Sequence, residues 1–97
     1  MDNGNNKQFK MKYTEEQITQ IHNFGAFNYP PEKMANIIDM TIEEIQTEIQ
    51  NKDSDFYKYF NAGKDKADYV IDCKLFELAQ TGDLKALEQF EDRKNDR

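Results

Sequence analysis

Tryptophan is absent, histidine and cysteine occur once each (His22 and Cys73), and there are only two prolines and four glycines. A single thiol excludes an internal disulfide, and a lone Cys73 fits a reducing compartment. The shortage of Gly and Pro excludes fibrous and low-complexity classes. No apolar run approaches the roughly 20 residues needed to cross a bilayer. Met1 to Lys12 is rich in Asn and Lys, without the apolar stretch of a secretory signal. The expectation is a cytoplasmic protein with no membrane association. Positive charge is also scarce: 13 Lys+Arg face 19 Asp+Glu, for a formal net charge of -6. Such a balance argues against coating nucleic acid or anionic lipid through bulk charge.

What is present is enough for a fold. The 97 residues are 37% hydrophobic and 12% aromatic, with seven Phe and five Tyr. A disordered acidic chain would lack such large core pieces. The length allows a single domain and no separate catalytic module beside it.

Helix signals then follow one another along the chain. Residues 1–12 read as a flexible basic tail. Thr14 with Gln17 forms a capping-box pattern, Ile18, Ile21 and Phe24 make a stripe, and Gly25 reads as the stop. Pro31 suits the first position of a short second helix with Met34, Ala35, Ile37 and Ile38 on its apolar face. Thr41 with Glu44 repeats the capping box ahead of a third helix whose inward residues are Ile42, Ile45 and Ile49. From Phe56 to Ala79 a 3.6-residue apolar period persists through Gly63, where a kink or a close approach is expected. Gly82 and Asp83 separate this long helix from a last one bearing Leu84, Leu87 and Phe90. With no strand pattern, the expected fold is all-α: a trihelical unit over residues 13–52, then a helical hairpin over 53–97, together one domain.

Catalytic chemistry finds little support. His22 and Cys73 have no local partners at ligand or nucleophile spacing, and Cys73 reads as a small buried hydrophobe. Gly63-Lys64 lacks the upstream glycine of a phosphate loop. The expectation is no enzyme, no cofactor and no metal.

The segment from Pro31 to Asn51 has the layout of a helix-turn-helix. Ala35 lets two helices cross closely, Asp39-Met40-Thr41 makes the turn, and Ile45 and Ile49 lock the second helix onto the first. The run Met34-Ala35-x-x-Ile38-Asp39-Met40-Thr41-x-x-x-Ile45 continues into Phe56-Tyr57-x-x-Phe60-x-x-Gly63-Lys64-x-x-Ala67 and Leu78-Ala79-x-x-Gly82-Asp83-x-x-Ala86. In this order the motifs resemble those of phage terminase small subunits and related homeodomain-like phage proteins, across roughly residues 13–90. The resemblance implies a phage or prophage origin in a bacterial host. It also implies double-stranded DNA bound through the helix-turn-helix, assembly into an oligomer, and recruitment of a large motor subunit. Asp39 stands where such turns commonly have glycine, which implies a different or strained turn.

On this reading the candidate DNA-binding residues are Lys7, Lys10 and Lys12 in the tail with Thr41, Glu43, Gln46, Thr47 and Gln50 on the third helix. Phe56, Tyr57, Tyr59, Phe60 and Tyr69 form the candidate subunit interface, because Tyr and Phe are enriched at interfaces. Charge cuts across the resemblance. Residues 1–13 carry +2, residues 14–51 carry -6 and residues 52–97 carry -2. The outward face of the third helix has no Lys or Arg, although phosphate neutralisation supplies most non-specific DNA affinity. Two alternatives therefore stand beside the packaging protein: an acidic interaction module that meets a basic protein, and a small transcription regulator.

Overall fold

Short side chains at the helix ends set the architecture. In the computed structural model, which describes residues 12–96, Thr14 caps α1 (Glu15–Phe27). Its hydroxyl accepts the Gln17 N–H at 3.1 Å, and the Gln17 side chain accepts the Thr14 N–H at 3.0 Å. Pro31 opens the five-residue α2 (Pro31–Ala35). Thr41 and Glu44 form the same reciprocal box at α3 (Ile42–Gln50). Ser54 caps α4 (Asp55–Gln80), accepting the Tyr57 N–H at 3.0 Å while its own hydroxyl donates to the Glu48 carbonyl at 2.7 Å. Asp83 caps α5 (Leu84–Asn95). The described residues hold these five helices and no strand, so the fold is all-α.

Two glycines act differently from expectation at one of the sites. Gly25 does not end α1. The helix runs on to Phe27 and stops at Asn28, which takes the left-handed conformation at φ 56°. There the Asn28 N–H bonds the Gly25 carbonyl and the Tyr29 N–H bonds the Phe24 carbonyl, at 3.1 and 3.0 Å. Gly63 lies inside the unbroken α4 and provides the close approach rather than a kink. Both glycines are buried where α1 crosses α4, each facing the backbone of the other helix.

The turn between α2 and α3 needs no glycine. Asn28 and Gly82 have positive φ among the described residues, and Asp39 does not. The chain instead folds back through Ile37 and Ile38 N–H groups bonded to the Met34 carbonyl, followed by a tight Met40 N–H to Ile38 carbonyl bond at 2.8 Å. The strained turn implied at Asp39 is thus replaced by a different one.

One core serves the first four helices. Ile21, Met34, Ile45 and Phe56 are fully buried, with Tyr13, Phe24 and Ile38 beside them. The segments on either side of residue 53 share this core through Phe56. α1 packs mainly along the first half of α4, while α5 folds back on its second half. That second half and α5 project as a two-helix arm. The molecule measures 61 × 31 × 21 Å with a radius of gyration of 17.9 Å, against about 13 Å for a compact chain of this length. Ala86 is the one buried residue in the arm beyond Gly63, among the described residues.

Candidate partner-binding face of the third helix

α3 is amphipathic, and its burial follows the sequence. Ile45 is buried and Ile49 packs against the core, which turns Glu43, Glu44, Gln46, Thr47 and Gln50 out to solvent. Ile42, expected to face inward, is 37% exposed at the first turn. An open cleft of about 450 Å³ lies along part of this face. Tyr13, Gln17 and Met40 form one side; Asp39, Glu43, Glu44 and Glu48 make it acidic. Thr47 also borders it, whereas Gln46 and Gln50 stand on α3 outside the cleft. Thr41 is exposed with its hydroxyl engaged in the cap.

Lysines 7 and 10 lie outside the described residues. Lys12, expected to reach toward phosphate, turns onto α3, where its ammonium pairs with Glu48 Oε1 at 3.2 Å. The Tyr13 hydroxyl donates to the same oxygen at 3.2 Å. The Tyr13 phenol is pushed well above its ordinary value, first by burial and then by the Glu48 charge, so it remains a donor. Tyr13 thereby joins a core ring, packed edge-on against Phe56 at 6.2 Å, to the acidic surface.

Glu44 has a capping duty that removes it from free partner contact. Hydrogen bonds from the Thr41 backbone N–H and then with its hydroxyl hold the Glu44 carboxyl below its ordinary 4.5, with a smaller contribution from Lys12. A depressed folded-state value stabilises the fold above the ordinary carboxylate range, and that contribution is lost as pH falls through the lowered value. A carboxyl chemical-shift titration is expected to give Glu44 a midpoint below 4.5, moving only part of the way back in Thr41→Ala, which removes the hydroxyl and keeps the backbone donor; a midpoint that does not move refutes the hydroxyl's share.

The expected aromatic interface is only partly available. Phe56 is fully buried in the core and stacks on Phe60 at 6.4 Å. Tyr59 and Phe60 pack against the same core, with Tyr59 5.6 Å from the His22 ring. Tyr57 is half-buried. Phe56 is therefore withdrawn as an interface residue, because α1 covers the stripe that it occupies. Tyr69 is 69% exposed. Cys73 is half-buried rather than buried, and Leu84 and Leu87, expected on an inward face, are 78% and 43% exposed.

No protein-family model, curated protein or solved structure matches the chain. Among the described residues no helix is long and apolar enough to cross a membrane, and no three His, Cys, Asp or Glu side chains are grouped to hold a metal ion.

The cleft was missed in the sequence because Tyr13 and Glu48 are 35 residues apart. Neither residue carries a spacing signal that links them. The surplus of acids on α3 was the available hint.

Proposed function

We propose that this chain is a non-catalytic phage-type DNA-packaging protein resembling a terminase small subunit, with a helix-turn-helix that meets DNA and a body that assembles as an oligomer and recruits a large motor subunit. The observation that carries this reading is the way α3 is presented. α2 and the turn after it seat Met34 and Ile38 beside Ile45 in the core, leaving a whole face of α3 at solvent. Gln46 and Gln50 on that face have the chemistry to read adenine edges. His22 packs on Tyr59 while Cys73 lies on the distal arm, so the two residues best suited to catalysis serve separate regions.

A second reading rests on the Lys12–Glu48 pair. The acidic cleft already accepts one lysine ammonium from its own chain, and a basic segment of another protein has the same chemistry. On this reading α3 repels phosphate and selects a Lys- or Arg-bearing partner.

A titration of the full chain with duplex DNA at about 50 and 200 mM salt tests the first reading. Binding is expected at low salt. Replacing both Lys7 and Lys10 by Ala is expected to flatten the log-affinity against log-salt slope by about 2, since each phosphate contact contributes about 0.9. Absence of DNA binding at 50 mM overturns it. Binding of a Lys-rich peptide that Glu43→Lys abolishes establishes the second reading instead. Glu43 is the appropriate position because Glu44→Lys would also break the Thr41 cap.

A further inference from the structure

Among the described residues that line the acidic cleft of α3, Lys12 brings the one positive charge, against Asp39, Glu43, Glu44 and Glu48. Its ammonium lies 3.2 Å from Glu48 Oε1 and 5.6 Å from the centre of the Tyr13 ring. A carboxylate beside an aromatic ring attracts an alkylammonium or guanidinium group. The two ends of the pair are held unequally. The Glu48 side chain is 17% exposed, whereas that of Lys12 is 58% exposed. Glu48 is also fixed by the Tyr13 hydroxyl, which donates to the same oxygen while its ring packs on Phe56. The carboxylate therefore stays in position when the lysine leaves.

Lys12 does not satisfy the cleft. Glu44 is engaged in the Thr41 cap. The side chains of Asp39 and Glu43 have no hydrogen-bond or ion-pair partner among the described residues. A segment carrying several Lys or Arg answers these carboxylates together with Glu48, which a single lysine cannot do. The Tyr13 ring and Met40 give the alkyl stems of such side chains an apolar surface to lie on.

Building on the second reading of the cleft, we infer that Lys12 is a built-in competitor, which occupies the Glu48 position until a cation of a basic partner segment displaces it. Binding is then an exchange of one cation for another at Glu48, and the net gain comes from Asp39 and Glu43. The exchange makes the cleft selective: a segment with one cation only replaces what Lys12 already supplies, whereas a multiply basic segment adds contacts. A partly exposed ion pair favours its closed form by about 1.4- to five-fold. The Glu48 position is thus open in about 15–40% of molecules, and removing the competitor tightens binding about two- to six-fold.

Calorimetric titration of the full chain with a Lys-rich peptide, at low salt, tests the exchange. Lys12→Ala, with an unchanged helical circular dichroism spectrum, is expected to bind the peptide about two- to six-fold more tightly than the wild type. Removing any positive charge near the cleft also favours a cationic peptide, so Glu48→Gln supplies the decisive comparison. In Glu48→Gln the peptide is expected to bind more weakly, and adding Lys12→Ala is expected to give no further gain. Wild-type binding that Lys12→Ala leaves unchanged or weakens overturns the competitor and leaves the second reading standing. A gain equally large with and without the Glu48 carboxylate overturns it as well, because the effect is then one of net charge. A peptide that binds neither the wild type nor Lys12→Ala removes the second reading itself, and the competitor with it.

Discussion

Gly63→Ala is expected to lower the stability of the fold by about 3 kcal/mol. A Cβ at Gly63 would press into the His22 carbonyl oxygen and lie 2.6 Å from the carbonyl carbon and 2.8 Å from the His22 Cα. All three are backbone atoms, so no side chain can rotate away. Gly25 presents the mirror situation: its added Cβ would meet the Phe60 carbonyl oxygen, with the carbonyl carbon at 2.7 Å and the Lys64 nitrogen at 3.1 Å. Relief requires α1 and α4 to separate, which opens the packing of Ile21 and Phe24. Alanine favours a helix over glycine by about 1 kcal/mol. Overpacking ordinarily costs about 1–3 kcal/mol where side chains yield; against backbone the cost lies at or above the top of that range. A net loss of about 3 kcal/mol is a large part of the 5–15 kcal/mol typical of a domain. Urea denaturation reads it as a fall in midpoint of about 1–3 M, given slopes of about 1–3 kcal/mol/M. An unchanged midpoint would mean that the helices part without cost. Gly82→Ala separates the two roles of glycine: at φ 95° nothing stands within 4 Å of its Cβ, so only backbone strain of about 1–2 kcal/mol is expected.

Phe56→Ala is expected to cost about 3–5 kcal/mol, from lost transfer energy and the cavity left behind. Phe56 sits in the first turn of α4, fully buried, with the Tyr13 and Phe60 rings against it and Ile21, Met34 and Ile45 in the same cluster. Four helices thus lose one shared contact, and collapse around the gap is limited because each is held by the others. The comparison is Tyr69→Ala on the same helix. Tyr69 is 69% exposed, and its removal from a dilute monomer is expected to change stability by no more than about 0.5 kcal/mol. Thermal or urea unfolding at low micromolar concentration should separate the two variants. Similar losses would contradict this division of α4 into a core end and an exposed end.

The two capping boxes, the Pro31 start and the Gly82–Asp83 break were legible because each is written within a few residues. A cap needs only its own turn of helix. Gly25 misled for the converse reason: glycine is a local stop signal, but its use here is set by Phe60, which lies on another helix. The apolar period from Phe56 to Ala79 gave α4 its extent. Periodicity cannot say how far along a stripe the covering helix reaches, so Phe56 and Tyr69 looked equivalent although α1 covers one and not the other. On α3 the acidic, outward side chains were legible from the inward Ile45. The folding of Lys12 onto Glu48 was not, because an ion pair across 36 positions leaves no spacing pattern.

The continuity of α4 through Gly63 also makes the molecule a lever. Its fulcrum is the glycine crossing, where backbones touch and no side chains intervene. Gln80 lies 17 residues beyond Gly63 along the same unbroken helix, which at 1.5 Å per residue places it about 25 Å away. A tilt of about 10° at the crossing would carry the tip through about 4 Å, with the helix rise fixing the arm's length. Small adjustments where α1 meets α4 are thereby magnified at the far end, where the exposed leucines of α5 begin.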